Sequence, residues 1–299
     1  MSLVILITGA SGYLGKIIAK DLFLQGFEIR TVEGRKNFKE NLAEKMADGK
    51  VEILIHAGFS VNFKTYSIND NDNIATALAI IEQQKKTPVK HFIFLSAAAV
   101  LGVSSEPDKV RAEGNFAETD NGFEAFQNTQ YVQDKIKCEK IFQENKLPMS
   151  VLYLTTVYGK NMHEETLRAL TISGKIKIIP SGGTSLIFLE DFLAALQAVI
   201  KKGPLGAIAL NGYNITYKDL FSVINRFNEG QVKLFLLPKL AKTLITKVAT
   251  IFFRNKFLNE AILVSSFGYK YYSSEKAKKI LNWKPEIALD FGLLQIFKK

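Results

Sequence analysis

The 299-residue sequence predicts an α/β fold: a doubly wound parallel sheet followed by a smaller C-terminal α/β lobe. Three observations predict it. Short apolar, β-branched runs alternate with longer amphipathic stretches through the first half. The first of these runs passes straight into a glycine-rich turn. In the second half the alternation gives way to a less regular mixture. Continuous apolar strands need both faces of their sheet covered, and parallel strands with helical crossovers provide that cover.

Strands are expected at Leu3–Thr8, Phe27–Val32, Val51–His56, His91–Leu95 and Met149–Thr155. Helical periodicity fills the gaps at Lys16–Gln25, Phe38–Met46, Ile74–Gln84 and Tyr131–Glu144. Further on, Glu164–Ser173 reads as a helix, Ile176–Ile179 and Ala207–Leu210 as strands, and Glu190–Lys201 as an amphipathic helix. Asn214 and Thr216 are good caps for a helix over Tyr217–Asn228. A long basic helix is expected over Pro238–Phe253, apolar at Leu240, Leu244, Val248, Ile251 and Phe252 and ringed by Lys239, Lys242, Lys247 and Arg254. Such a stripe is what a half-buried helix shows, so packing on the core is preferred over rest on an anionic membrane.

The turn after the first strand reads Gly9-Ala10-Ser11-Gly12-Tyr13-Leu14-Gly15. Spacing G-x-x-G-x-x-G between strand and helix has a physical purpose. Gly9 permits the tight turn, Gly12 lets backbone N–H groups approach a pyrophosphate, and Gly15 lets helix and strand pack closely. The helix start then faces the phosphates with its partial positive charge. This is the signature of a Rossmann-type dinucleotide site, with Ser11, Tyr13 and Leu14 carried along in the loop. Glu33 ends the second strand 18 residues beyond Gly15, near the spacing at which a carboxylate binds the adenosine ribose. NAD is therefore preferred over NADP, while Arg35 offers a partner for a 2′-phosphate.

Composition excludes several classes. A hydrophobic fraction of 47% with 23% charged residues argues against disorder. No run reaches the ~18–20 uncharged apolar residues of a membrane span, and the opening MSLVILITGASG reads as a buried strand, not a signal peptide. The lone Cys138 and three scattered histidines (His56, His91, His163) leave no disulfide and no zinc pattern. A cytoplasmic setting is expected. The net charge of +10 and pI near 9.4 point to anionic partners. The lysines are spread along the chain without a nucleic-acid signature, so nucleic acid is not expected among them.

Several segments together resemble the extended short-chain dehydrogenase/reductase family, the NAD-dependent epimerase/dehydratases of nucleotide-sugar type. They are ITGASGYLG at 7–15, LIHAG at 54–58, NIATAL at 73–78, VKHFIFLSAAAVLG at 89–102, YVQDK at 131–135, LYLTTVYG at 152–159, FLED at 188–191 and YYSSEKAKKILNWKP at 271–285. The resemblance implies a catalytic Tyr131 and Lys135 on one helix face, one turn apart. Tyr131 would be the general acid/base, its pKa lowered by the ammonium, and Lys135 would also hold the nicotinamide ribose. It further implies that Ala57 and Gly58 let the dinucleotide cross the sheet edge and that Asn73 lies near the cofactor, a position that also suits a helix cap. Asp191 matches a family aspartate that reads as structural. A homodimer is the assembly to look for.

Departures from the family pattern are as informative. The serine or threonine expected five residues before Gly102 is Ala97, leaving Ser96, Ser104 or Ser105 to donate to the reacting oxygen. Adjacent strand residues face opposite ways, so Ser96 serves only at an irregular strand end. An arginine of the family is Tyr153 here, and the basic residue usual near Gly183–Ser185 is absent. The stretch between Glu33 and His56 is too short for the usual extra strand. The sequence thus points to a dinucleotide-binding domain over 1–160, with 185–212 returning to it. A substrate-binding lobe is expected from 161–184 and 213–299. The leading function is an NAD(P)-dependent epimerase, dehydratase or reductase acting on a nucleotide-sugar. Two alternatives stand beside it: an alcohol dehydrogenase or ketoreductase for an apolar substrate, which the His56–Phe63 segment suits, and a dinucleotide-binding protein impaired in catalysis.

Overall fold

A computed structural model describes residues 2–63, 66–67, 72–113, 120, 122–162, 166–167, 170–171, 175–227, 232–238 and 260–297. The sheet is built from β1 (Val4–Thr8), β2 (Glu28–Val32), β3 (Ile53–His56), β4 (His91–Ala97) and β5 (Met149–Leu154). Between them run α1 (Tyr13–Leu24), α2 (Phe38–Met46), α3 (Asp72–Lys86), the short α4 (Glu124–Gln127) and α5 (Gln130–Glu144). After β6 (Thr156–Tyr158), β7 (Ile176–Pro180) and β8 (Gly183–Phe188) come α6 (Leu189–Lys202), β9 (Gly206–Leu210) and β10 (Tyr213–Thr216). The chain continues through α7 (Tyr217–Phe227), β11 (Lys233–Leu237), α8 (Glu260–Ser265), α9 (Glu275–Leu281) and α10 (Leu289–Phe297).

The main sheet has six strands in the order β2-β1-β3-β4-β5-β9, every pair parallel. Strand alternation sorts its side chains between two cores. On one face Leu6, Leu54, Phe92 and Phe94 pack under α2, α3 and α5. On the other Ile5, Ile55, Ile93 and Leu95 pack under α1, α6 and α9. No described strand lies outside β2, in keeping with the short Glu33–His56 spacing. The expected helix at 38–46 is found with its bounds unchanged, and the others differ by up to three residues at an end, where capping and not periodicity decides.

The C-terminal lobe departs more from expectation. β8 pairs antiparallel with β10 and parallel with β6, and β7 pairs parallel with β11. Of these only β7 was legible, because GTSLIF and KLFLL lack alternation and YNIT, though alternating, is only four residues long. Within 185–212, β9 joins the main sheet and α6 packs on it, while β8 pairs with β10 and β6. The lobe core gathers Tyr158, Phe188, Leu186, Leu220, Ile224 and Leu293. The expected Pro238–Phe253 helix, apart from Pro238, lies outside the described residues, as does most of 164–173. No helix among the described residues is long and apolar enough to cross a membrane.

Asp191, near the start of α6, fastens the C-terminal segment. Its carbonyl accepts the Trp283 indole N–H at 3.0 Å. Its carboxylate accepts the backbone N–H groups of Glu286 at 2.9 Å and Ile287 at 3.3 Å. The structural role expected for Asp191 is thereby given a geometry.

Candidate functional site

The glycine turn is held by contacts that only glycine allows. Gly9 has φ +77°, and a Cβ there would lie 2.2 Å from the Gly58 Cα. Gly12 donates its N–H to the Gly9 carbonyl at 3.0 Å, and a Cβ on Gly15 would stand 2.2 Å from that same oxygen. Gly58 thus matters as the surface against which the β1 turn closes. The first intrahelical bond of α1 runs from Lys16 N–H to the Gly12 carbonyl, so the N–H groups of Tyr13, Leu14 and Gly15 have no partner within the helix. No side chain caps this end and no acidic residue stands in its first turn. Such an end attracts an anion.

A cleft of about 180 Å³ opens beside this turn, lined by Ser11, Gly12, Ala57, Phe59 and Asn73 among others. On the side of β2 its wall is Gly34 and Arg35, while Glu33 is exposed at the strand end. The Arg35 guanidinium is engaged with Asp72 at 2.7 Å. Neither Tyr13 nor Leu14 lines the cleft: the Tyr13 ring packs on the lobe core and Leu14 on the core beneath α1. The cradle, the uncapped helix start and the cleft fit a pyrophosphate-bridged dinucleotide.

Tyr131 and Lys135 stand one turn apart at the start of α5. The loop after β3 is stitched onto that helix. Asn73 Oδ1 accepts the Ser60 N–H at 2.8 Å, while its Nδ2 donates to Asp134 on α5 at 2.9 Å. Gln130 accepts the Ser67 N–H at 2.6 Å, and the Tyr131 N–H reaches the Asn62 carbonyl at 2.8 Å. Asn73 is therefore a tie between the strand-end loop and α5, where the sequence left a cofactor contact or a cap open. The stitched loop lays two aromatic rings on the pair. Phe63 lies 5.1 Å and Phe59 5.9 Å from the Tyr131 ring, and the Lys135 ammonium sits 3.7 Å above the Phe59 centroid.

Burial dominates the electrostatics. Lys135 donates to the Leu95 carbonyl at 2.6 Å and has no carboxylate in ion-pair contact among the described residues. Loss of water pulls its pKa down to about 7. Burial pushes Tyr131 up to about 12, the reverse of the lowering expected from a neighbouring ammonium. Two pKa units are worth roughly 3 kcal/mol against the phenolate. The ammonium lies 6.0 Å from the Tyr131 ring centroid, and desolvation prevails over it.

Beneath the pair is a buried polar layer in which the sequence had singled out Ser96 alone. β4 stays regular through Ala97, so Ser96 shares the α5 face with Phe92 and Phe94 while Ala97 faces the other way. The irregular strand end that would turn Ser96 otherwise is absent. Its Oγ is fully buried, and among the described residues no hydrogen bond reaches it. Ser104 and Ser105 both donate to Asp120 and are committed to that loop. His56 Nδ1 is 2.6 Å from Thr8 Oγ1, and burial, with the Lys135 charge, draws its pKa down to about 3. Glu139, one turn beyond Lys135, accepts the Tyr153 hydroxyl at 2.6 Å, and burial raises it to about 7. Tyr153, standing in the arginine position, thus serves a buried carboxyl. Only the i+4 periodicity of Tyr131, Lys135 and Glu139 could have signalled this.

The Gly183–Ser185 segment is paired with Lys270, from a distant part of the chain. The Lys270 N–H donates to the Gly183 carbonyl at 3.2 Å, and the Ser185 hydroxyl to the Lys270 carbonyl at 2.6 Å. Its ammonium lies 5.4 Å from the Phe126 ring and 5.9 Å from Tyr217, with no carboxylate in contact among the described residues. Phe126 stacks on Phe63 and belongs to the same apolar cluster as Tyr131.

Fold and site together define a dinucleotide-binding α/β protein with a tyrosine–lysine pair on the long helix between the fourth and fifth strands. The family model of the NAD dependent epimerase/dehydratase family matches residues 5–204, and the chain belongs to that family. Among solved structures it is similar to a UDP-glucose 4-epimerase from Thermotoga maritima, at 18% identity and TM-score 0.70 over 98% of this chain and 97% of that one. It is similar also to a UDP-N-acetylglucosamine 4-epimerase from Bacillus cereus, at 15% identity and TM-score 0.70 over 99% and 96%. A third is the Bordetella bronchiseptica enzyme WbmG in complex with NAD, at 15% identity and TM-score 0.69 over 99% and 93%. No curated protein matches significantly.

Proposed function

We propose that this chain is an NAD-dependent epimerase, dehydratase or reductase of a nucleotide-sugar, with Tyr131 as the acid/base. The observation that carries it is the placement of Tyr131 and Lys135 side by side on α5, both against Phe59, which also lines the cleft beside the glycine turn. The N–H groups of residues 13–15 would hold the pyrophosphate, with Gly9, Gly12, Gly15 and Gly58 giving it room. Bound NAD would supply the ring that accepts or returns a hydride. Tyr131, protonated at neutral pH, is ready to donate its proton to a carbonyl oxygen as that carbon is reduced. In the opposite direction the phenolate takes the hydroxyl proton, helped by the Lys135 charge. Lys270, next to Gly183 and Ser185, would meet the diphosphate of the substrate.

A second reading rests on a specific observation. Phe59, Phe63, Phe123 and Phe126 surround Tyr131, and such a wall suits an apolar alcohol or ketone. A thermal-shift panel separates the two. NAD together with UDP or UDP-sugars should raise the melting temperature beyond NAD alone, and Lys270→Met should abolish the nucleotide increment only. Tyr131→Phe should keep NAD affinity and lose roughly 10²–10⁴ in turnover. A shift with NAD but with no nucleotide-sugar favours the apolar substrate; no response to NAD or NADP rejects both.

A further inference from the structure

The parallel pair β7/β11 turns an apolar face outward. Register puts Ile176, Ile178 and Pro180 beside Lys233, Phe235 and Leu237 on one side, while Ile179 and Leu234 point into the lobe core. Ile176 is 62%, Ile178 59% and Phe235 60% exposed. Half-buried strands normally alternate apolar-in with polar-out, so three exposed large apolar side chains together on one face call for a partner. Charge indicates which. Lys175 and Lys233 rim the face, and no acidic residue occurs in 175–189 or in 232–238. A second copy would bring lysines against lysines. The strip is also roughly 17 Å by 10 Å, small beside the ~800 Å² per partner of a stable dimer. A few apolar side chains ringed by lysines are, in contrast, sufficient for interfacial attachment to acidic lipid.

We propose that the outer face of β7/β11 seats on an anionic lipid surface, inserting Ile176, Ile178 and Phe235 among the acyl chains with Lys175 and Lys233 at the headgroups. This is independent of the reaction assigned above. The test is co-sedimentation of the full chain with phosphatidylglycerol/phosphatidylcholine vesicles against pure phosphatidylcholine vesicles, at 0.05 and 0.5 M salt. Binding should require phosphatidylglycerol and weaken at high salt. Ile178→Ser with Phe235→Ser should reduce it at least tenfold, and Lys175→Ala or Lys233→Ala about fivefold each. The exposed substitutions should leave the melting temperature unchanged. The proposal is overturned if no acidic vesicle is bound or if all variants bind like wild type. It is equally overturned if the face instead makes a dimer that Phe235→Ser dissolves, or if only nucleic acid is retained.

Discussion

Lys135→Met should make the protein more stable, not less. The ammonium is held in the folded chain with a pKa near 7, against an ordinary 10.5 when unfolded. Below pH 7 both states are protonated and the burial cost is fully present, on the order of 5 kcal/mol at 1.36 kcal/mol per pKa unit. Between 7 and 10.5 the unfolded chain keeps the proton that the folded one has released, so wild-type stability rises with pH, by about 3 kcal/mol from pH 7 to 9.5. Methionine fills similar volume but leaves the Leu95 carbonyl without its donor, a loss of about 1–2 kcal/mol. The net expectation at pH 6 is a gain of about 3 kcal/mol, with that alkaline rise gone. Urea unfolding at several pH values from 6 to 9.5 measures both. A variant less stable than wild type at pH 6, with the alkaline rise intact, would refute the claim that burial of this ammonium costs more than its partners return.

Two other perturbations follow from the geometry. Gly15→Ala drives a methyl to 2.2 Å from the Gly9 carbonyl and should cost about 1–3 kcal/mol in thermal unfolding, with NAD affinity falling alongside; a neutral substitution would show that the turn has room. With β4 regular and the Ser96 hydroxyl sealed on the α5 face, Ser96→Ala should leave turnover and NAD affinity, measured by calorimetry, unchanged. A fall in turnover of roughly 10²–10³-fold would show that Ser96 replaces the donor lost at Ala97.

What could be read from the sequence was what neighbours in the chain decide. The turn at Gly9–Gly15 is dictated locally by backbone freedom, and the i+4 pairing of Tyr131 with Lys135 by helix geometry. The spacing from Glu33 to His56 implied the missing edge strand. The features that escaped join distant segments. Phe59 reaches Lys135 because Asn73, Asp134 and Gln130 tie a loop to α5. Lys270 reaches Gly183 across 87 positions of chain. The sign of the Tyr131 shift was misjudged because periodicity gives proximity and not burial. Glu33 met its spacing, yet the cleft wall there is Gly34 and Arg35.

The clasp at Asp191 has a meaning in time. Ala277, Leu281 and Trp283 lie against the rear of the sheet with Ile18, Leu196 and Ile208, so the main sheet leaves a ribosome with a bare greasy strip. Its last patch of cover is synthesised some seventy residues after its last strand. Until then the nascent sheet would be a natural client for chaperones, and a chain halted before residue 277 would be prone to clump.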